Sequence, residues 1–262
     1  MPAAKKFRAR QMLGKYRIEK RLAHGPRADV YRAYDTIHGI RVALKVANPD
    51  IVEDDFLDEF RHEARLSSKM EHPNILPVMN ASFVDEYFVI AMRLGSETLG
   101  DRMGRRMSDQ TALSFTTQAL NALSHAHSKR IIHCDVKPEN FILFPGNQLR
   151  LTDFGFSKVA LRTVKASGSG TLGYLAPEQA LGRPMFQSDV FALGLVIWQL
   201  FSKQLPEYPY DWPMPGAPRI RGKLRRRMIE WLRTALEFRH QDRFRDAVEM
   251  QEEFDTIRFK LL

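Results

Sequence analysis

The sequence predicts an α+β protein of two lobes, a small one built on an antiparallel sheet with one main helix and a larger one that is mainly helical. The length of 262 residues suits one large domain or two lobes that share a cleft. Strand-like alternation dominates the first part of the chain, and helical periodicity dominates the rest. We therefore divide the chain into a basic tail over residues 1–15, a first lobe over residues 16–94 and a second lobe over residues 95–262.

The first lobe is predicted to begin as an antiparallel meander. Its opening strands alternate β-branched or aromatic residues with polar ones and are separated by turn residues; they read YRIEKRL (16–22), DVYRAYD (29–35) and RVALKVA (41–47). Apolar residues at near-helical spacing predict one helix over residues 54–70. Two further strands are predicted near residues 75–83 and 87–92.

The second lobe follows a predicted hinge at Gly95 to Gly100. Helical patterning recurs in four long segments, residues 110–128, 189–202, 222–236 and 246–259. The proline-rich segment from Pro206 to Pro218 cannot form a regular helix. The longest strongly apolar uncharged stretch, residues 190–202, is shorter than the ~20 residues that span a bilayer, so we expect no membrane span.

Composition limits the classes of protein that the chain can be. Apolar residues make up 44% and charged residues 27%, which excludes a chain disordered throughout. The formal net charge of +9 is compatible with binding to nucleic acid, an anionic membrane or an acidic partner, and does not choose among them. The only cysteine, Cys134, excludes an intrachain disulfide, and no apolar segment follows the basic N-terminus as in a secretory signal; we expect a cytoplasmic protein.

Two short motifs carry side chains that a core would not select. The segment IIHCDVKPENFIL, predicted as a short strand, a loop and a strand, places Asp135, Lys137 and Asn140 within six residues. The segment LTDFGFS follows, where Gly155 lets Asp153 project from a tight turn. Oxygen ligands from Asn140 and Asp153 are what Mg²⁺ bound to phosphates requires, and Asp135 is a candidate to accept a proton from a hydroxyl. His133, in the same motif, is predicted to be a packed, hydrogen-bonded core residue.

With these motifs the chain resembles the catalytic domain of the eukaryotic-like (Hanks-type) serine/threonine protein kinases over residues 16–258. The resemblance rests on ordered motifs: VALK with Lys45, a helix carrying Glu63, HCDVKPEN, DFG at Asp153 to Gly155, and APE at Ala176 to Glu178. It implies the two-lobed protein-kinase fold, with ATP and Mg²⁺, or Mn²⁺ in its place, as cofactors.

The resemblance also implies roles for individual residues. Lys45, paired with Glu63, would hold the α and β phosphates, and Asn140 and Asp153 would bind the metal ions. Asp135 would be the catalytic base, and Lys137 would neutralise the γ-phosphate, as in the serine/threonine branch. The nucleotide would be bound by Gly25, Val30, Ala43, Lys45, Met92, Ile142, Asn140 and Asp153.

Further residues are implied for the substrate side and for structural support. Thr171, in GTLGYLAPE, would bond the catalytic Asp and Lys and shape the substrate site. Glu178 and Arg243 would form a buried ion pair, and Asp189 would bond the catalytic loop.

The chain departs from the family in its phosphate loop. Against the pattern G-x-G-x-x-G-x-V it reads AHGPRADV from Ala23 to Val30, so that Gly25 is the one glycine left. Pro26 also removes a backbone N–H that could face a phosphate. We expect weaker or more mobile ATP binding, and hypothesise that Arg27 supplies charge in place of the lost donors.

A second departure is Cys134, which stands where much of the family has Arg before the catalytic Asp. That Arg pairs with a phosphorylated activation loop in the family, and a thiol cannot. We therefore predict that phosphorylation is not obligatory for activity; the candidate positions are Ser157, Thr163, Ser167 and Ser169. Cys134 itself is predicted to be a small buried residue rather than a redox group. Ser67 replaces a usual apolar residue and is expected to loosen the helix that carries Glu63.

A basic run from Arg219 to Arg227 follows the proline-rich segment, where related kinases place a docking helix. Two interpretations stay open, a solvated start of a helix and a docking patch for an acidic protein, nucleic acid or a membrane surface. The run is not interleaved with aromatic residues, which disfavours nucleic acid as a partner.

The sequence thus predicts a Mg·ATP-dependent protein kinase that phosphorylates Ser or Thr of protein substrates. Two alternatives stay open. The eroded glycine loop would suit a pseudokinase that binds ATP or acts as a scaffold, against the intact Lys45, Asp135 and Asp153. A small-molecule phosphotransferase could share the lobes and both aspartates, but Thr171 and the APE motif favour protein substrates.

Overall fold

The computed structural model of the chain describes residues 7–25, 28–48, 60–61, 64–66, 69–154, 172–207 and 211–258. The chain separates into two compact units. The first comprises Met1–Glu71 and Leu76–Ser96, and the second comprises His72–Ile75 and Glu97–Leu262.

The first unit contains an antiparallel sheet of six strands in the order β1-β2-β3-β4-β6-β5. The strands are β1 (Met12–Leu13), β2 (Tyr16–His24), β3 (Ala28–Asp35), β4 (Ile40–Ala47), β5 (Val78–Val84) and β6 (Tyr87–Arg93). The predicted meander is therefore present. The strand predicted near residues 75–83 begins later, at Val78, and Ile75 instead forms an isolated bridge with Leu151 inside the second unit.

The two faces of this sheet have different roles because side chains alternate along each strand. One face carries the core of the unit, in which Tyr31, Leu44, Val46, Val89 and Ala91 are all buried. Directly opposed residues of an antiparallel pair share a face. The pairings Val30↔Lys45, Ala43↔Met92 and Lys45↔Ile90 therefore place these five side chains together on the other face of the sheet.

Helical residues pack on that second face. Residues 60–61, 64–66 and 69 are helical, within the segment predicted as a helix over residues 54–70. The ring of Phe60 lies 6.2 Å from the ring of Phe88 in an edge-to-face arrangement, and the ammonium of Lys45 lies 5.2 Å from the Phe60 ring centroid. The start of the predicted helix, residues 54–59, lies outside the described residues.

The second unit is mainly helical. It also contains a short three-stranded sheet, whose first strand precedes the helices in the chain. The described helices are α1 (Leu99–Met103), α2 (Asp109–Ser128), α3 (Pro177–Ala180), α4 (Phe186–Ser202), α5 (Ala217–Arg221), α6 (Arg226–Ala235) and α7 (Ala247–Arg258). The small sheet has the order β7 (Glu97–Thr98), β8 (Phe141–Phe144), β9 (Gln148–Leu151). Short 3-10 turns occur at Pro138–Asn140, Leu172–Tyr174 and His240–Asp242.

Helix α4 is the buried centre of the second unit. Its residues 190–198 are apolar without a break, so this part of the helix is hydrophobic on all sides, and Phe191, Leu195 and Trp198 are each fully buried. A helix that is hydrophobic all round is expected to be enclosed by other elements. No helix in the described ranges is both long enough and apolar enough to cross a membrane.

Two predicted elements are wrong in detail. The helix predicted over residues 222–236 is shorter than expected, because Gly222 caps the preceding helix α5 and α6 begins only after Arg225, whose backbone is extended. Helix α5 also begins inside the segment predicted as non-helical, with Pro218 in its first turn, where a missing backbone N–H costs nothing.

The first strand predicted within the segment IIHCDVKPENFIL is also absent, because residues 131–133, with which the segment begins, form no strand. The amides of His133 and Cys134 donate to the carboxylate of Asp189 instead of to a strand partner. The α+β class is confirmed by the sheet of the first unit and the helices of the second.

Candidate active site

The predicted site residues fall in both units. In the second unit the catalytic loop, residues 131–140, is fixed from below by Asp189 on α4. The amide of His133 donates to Oδ2 of Asp189 at 2.6 Å, and the amide of Cys134 donates to Oδ1 at 2.8 Å. The Asp189 side chain is only 1% exposed, so these bonds form away from water. Cys134 adopts a left-handed backbone with φ 65°, which turns the chain sharply before Asp135.

His127 on α2 supports Asp189 in turn. Its Nδ1 accepts a hydrogen bond from the amide of Ala247 at 2.9 Å, so its single proton lies on Nε2. Nε2 lies 3.0 Å from Oδ2 of Asp189 and donates to it. His127 therefore links the N-terminus of α7, helix α2 and the anchor of the catalytic loop.

His133 has the packed, hydrogen-bonded position that the sequence predicts. It is fully buried, its Nδ1 accepts from the amide of Asp135 at 3.2 Å, and its Nε2 donates to the carbonyl of Thr152 at 2.9 Å. Its ring also meets the buried ring of Phe154 edge to face at 4.8 Å. His133 thus connects the catalytic loop to the segment that carries Asp153.

The polar cluster of the loop is formed by Asp135, Lys137 and Asn140. The ammonium of Lys137 lies 2.8 Å from Oδ2 of Asp135, and Nδ2 of Asn140 donates to the same oxygen at 2.9 Å. Nδ2 of Asn140 also donates to the backbone carbonyl of Asp135 at 2.7 Å. Among the described residues, Oδ1 of Asp135 has no protein donor, and the side chain is about one quarter exposed at 24%. The cluster therefore presents one carboxylate oxygen that can accept a proton from outside the protein.

The amide orientation of Asn140 decides what it can bind. Both hydrogens of Nδ2 are committed to oxygens of Asp135, which leaves the carbonyl oxygen Oδ1 as an acceptor. The amide of Thr152 donates to the backbone carbonyl of Asn140 at 2.9 Å, which holds Asn140 beside the segment of Asp153. Asp153 adopts a left-handed backbone with φ 64°, uncommon for a residue with a Cβ. A side-chain amide oxygen and a carboxylate form a donor set that suits a hard divalent cation.

Three buried contacts stabilise the residues around the loop. Arg243 forms a two-point ion pair with Glu178, with nitrogen to oxygen distances of 2.9 and 3.2 Å, as the family resemblance implies. Ser188 adds a hydrogen bond to Glu178 at 2.7 Å. Next to them, Gln179 donates to the carbonyl of Cys134 at 2.5 Å.

Cys134 is a buried structural residue. It is 5% exposed, and burial together with the carboxylates of Asp189 and Asp135 raises the pKa of its thiol well above the usual range. A thiol that stays protonated is a poor nucleophile and a poor redox centre. This position agrees with its prediction as a small buried residue.

In the first unit, the residues predicted to bind the nucleotide share one face of the sheet. Lys45 is only 5% exposed, although its side chain carries a charge. Val30 is its cross-strand neighbour, and Ala43 is opposite Met92. The remaining glycine of the phosphate loop, Gly25, donates its amide to the carbonyl of Ala28 at 3.0 Å.

Ile142, the other residue predicted at the nucleotide, lies on β8 in the second unit and is half-buried. Several predicted residues lie outside the described ranges: Arg27, Glu63, Ser67, Gly155, Ser157, Thr163, Ser167, Ser169 and Thr171.

Sequence reasoning missed two supports, His127 and Gln179. His127 was visible only as a histidine near the end of a helix, and Gln179 only as the residue after Glu178. Their partners, Asp189 and the Cys134 carbonyl, are 62 and 45 positions away in the chain. No local pattern indicates such contacts.

Comparisons with known proteins identify the family to which this chain is similar. The family model described as the protein kinase domain matches residues 16–243. Among curated proteins, the chain is 36% identical over 207 residues to the serine/threonine-protein kinase PknA of Mycobacterium tuberculosis, covering 74% of this chain and 48% of that protein. It is 31% identical over 205 residues to PrkC of Bacillus subtilis, covering 75% of this chain and 32% of that protein.

These relatives are longer than the present chain, which spans between about a third and a half of their lengths. Among solved structures, the kinase domain of Mycobacterium tuberculosis PknI is similar, with a TM-score of 0.73 and 25% identity. That similarity covers 96% of this chain and 99% of the other. The family resemblance and the fold class predicted from the motifs are both confirmed.

Proposed function

The chain belongs to the protein kinase domain family, and from that premise we propose that it transfers the γ-phosphate of ATP to Ser or Thr hydroxyls of protein substrates. The observation that carries the proposal is the cluster of Asp135, Lys137 and Asn140, held on a loop that Asp189 and His133 fix from two sides. The named relatives, which are serine/threonine-protein kinases, support the choice of acceptor.

The cluster suggests how the chemistry proceeds. Oδ1 of Asp135 orients the acceptor hydroxyl and takes its proton, while Oδ2 stays bound to Lys137 and Asn140. Lys137 lies close enough to the base to neutralise charge on the phosphoryl group as it transfers. Phosphoryl transfer needs positioning and charge neutralisation more than covalent catalysis. A rigid cluster such as this one supplies both effects.

The family implies ATP and a divalent cation. We propose Mg²⁺, with Mn²⁺ as a substitute, because the donors are oxygens. Oδ1 of Asn140 and the carboxylate of Asp153 would hold the cation, which when bound neutralises the phosphates of the nucleotide. In the first unit, Lys45 would contact the phosphates from the face that also carries Val30 and Ala43.

The acceptor class is tested by ADP release from ATP in the presence of different acceptors. We expect release with a Ser- or Thr-containing basic protein and none above background with sugars, aminoglycosides or choline. Release with one of those small molecules and not with protein would contradict the proposal and favour a small-molecule phosphotransferase. Tight ATP binding without release with any acceptor would favour a pseudokinase.

Activity is predicted not to require phosphorylation of the activation segment, because Cys134 cannot pair with a phosphate. We expect the variant with Ala at Ser157, Thr163, Ser167 and Ser169 to keep kcat within about threefold of the wild type. The measurement is kcat for both proteins after phosphatase treatment. A large loss in the phosphatase-treated wild type, restored when the protein is phosphorylated again, would refute the prediction.

An acidic partner is proposed for the basic run from Arg219 to Arg227. Its exposed arginines, which we call the arginine surface, are Arg219, Arg221, Arg225, Arg226 and Arg227. Beside it is a cavity of about 430 Å³ whose apolar wall includes Trp212, Ile220 and Ile229. Arg221 and Arg233 also line this cavity, and Arg233 lies over the Trp212 ring at 5.5 Å. An acidic peptide with one large apolar side chain fits this combination of charge and cavity.

The test is fluorescence anisotropy of a labelled Glu-rich peptide carrying one Phe. We expect salt-sensitive binding that weakens about tenfold or more in Arg221→Glu/Arg227→Glu. The control, Arg106→Glu/Lys129→Glu, changes the same charge at exposed positions elsewhere in the unit and should bind as the wild type does. Equal affinity in both double variants would rule out the arginine surface.

A cytoplasmic location is part of the proposal. The single cysteine is a buried thiol with no disulfide partner, which suits a reducing compartment.

A further inference from the structure

Four polar side chains meet at the base of the phosphate loop in the first unit. Asp29 on β3 is the centre of the group, which we call the Asp29 cluster. Its Oδ1 lies 2.6 Å from Nδ1 of His24, and its Oδ2 accepts from the hydroxyl of Tyr31 at 2.9 Å and from Arg21 at 3.4 Å. His24 and Asp29 are paired directly across β2 and β3, at the last ladder position before the loop. The cluster therefore joins the two stems of the loop.

The cluster lies on the face of the sheet opposite Lys45. Tyr31 pairs with Leu44 and Asp29 pairs with Val46, both on the core face, whereas Val30 pairs with Lys45 on the other. A nucleotide held by Lys45 would thus not touch Asp29. Any influence of Asp29 on the nucleotide must pass through the loop that it closes.

The cluster is anchored to the core. The ring of Tyr31 is 1% exposed and packs edge to face on Phe7 at 5.7 Å. The Asp29 side chain is 17% exposed and that of His24 is 63% exposed, so contacts extend from the core to solvent. Burial and the bond to Asp29 raise the pKa of Tyr31 to about 12, so its hydroxyl stays a donor, and the bonds from His24, Tyr31 and Arg21 keep the pKa of Asp29 below its usual range despite burial.

The two stems of the phosphate loop must be held close together, and the Asp29 cluster can hold them. Two of the three positions that are Gly in the motif are Ala23 and Ala28, and only Gly25 remains. The amide of Gly25 donates to the carbonyl of Ala28, and a Cβ on Gly25 would approach that oxygen to 3.0 Å. The stems therefore approach closely at the point where the ladder ends.

We propose that Asp29 is a positioning residue that, through His24, fixes the stems of the phosphate loop so that its backbone is held ready for the nucleotide phosphates. Holding the loop in advance lowers the entropy lost when the nucleotide binds. This inference rests on the proposed function, because it assumes that the loop contacts phosphates.

The test compares His24→Ala with the wild type and with Lys20→Ala, which removes another exposed side chain from the same strand. We expect His24→Ala to raise the dissociation constant and the KM for Mg·ATP about tenfold, with kcat and the KM for a peptide acceptor within twofold. His24→Arg, whose guanidinium can still pair with Asp29, should restore most of the affinity. The double variant His24→Ala/Asp29→Asn should be little weaker than Asp29→Asn alone, since both changes break the same bond.

Amide hydrogen exchange gives a readout that does not depend on turnover. In His24→Ala we expect faster exchange at Gly25 with no change in the midpoint of urea unfolding. ATP affinity and Gly25 exchange equal to those of the wild type would overturn the inference while leaving the proposed function intact. A wild-type chain that binds no Mg·ATP would overturn the proposed function, and the inference with it.

Discussion

Replacing Asp135 with Asn is expected to lower kcat by about a thousandfold, the middle of the range for loss of a general base. The amide can still accept hydrogen bonds from Lys137 and Asn140, so the loop keeps its shape. It cannot take a proton from the acceptor hydroxyl, and it has no negative charge to pair with the ammonium of Lys137. The loss should therefore appear in kcat and not in the KM for ATP.

The measurement is steady-state kinetics of Asp135→Asn beside the wild type, with unfolding midpoints for both proteins. Asp101→Asn is a suitable control because Asp101 also holds a local structure, the cap of α1, in the same unit. That variant should keep kcat within about threefold. A kcat for Asp135→Asn within tenfold of the wild type would remove Asp135 as the base.

Arg243→Ala is expected to lower the free energy of unfolding by about 3–5 kcal/mol, as for other broken buried ion pairs. The Arg243 side chain is fully buried at 0% exposure and that of Glu178 is 9% exposed. Arg243 also donates to the backbone carbonyls of Glu237, Gln187 and Phe238. Its removal would leave a buried carboxylate and three carbonyls without this donor.

Urea unfolding measured by tryptophan fluorescence checks the Arg243 prediction. The matched control is Arg245→Ala, where the side chain is 70% exposed and lies 3.7 Å from Asp246; we expect a change of about 0.5 kcal/mol or less. Arg243→Lys should fall between the two, because a lysine restores the charge without the two-point geometry. A loss below about 1 kcal/mol in Arg243→Ala would mean that the pair contributes little to stability.

Much of the site could be predicted because its signals are local. Asp135, Lys137 and Asn140 lie within six residues between apolar runs, so their polarity marks them without reference to the rest of the chain. Asp153 is also marked locally, because Gly155 follows it two positions later in the chain. The antiparallel strands of the first unit were predicted from alternation, which follows directly from strand geometry.

The remaining features depend on contacts between distant segments. The first strand expected in the segment IIHCDVKPENFIL does not form, because Asp189, more than fifty positions away, binds the amides of His133 and Cys134. The break between α5 and α6 falls at Gly222 and Arg225, within a run whose apolar spacing still suits a helix. The Asp29 cluster was missed because the cross-strand register, including a shift between Arg21 and Ala23, decides which side chains face one another.

We propose that this chain is a catalytically competent protein kinase despite its altered phosphate loop. The most direct test is transfer of label from γ-labelled Mg·ATP to a generic basic protein and to the chain itself, followed by analysis of the labelled amino acids, with folded Asp135→Asn beside the wild type. We expect label on serine or threonine with the wild type and loss of nearly all of it with Asp135→Asn. Equal labelling by the two proteins, or no labelling by a wild type that binds Mg·ATP, would contradict it.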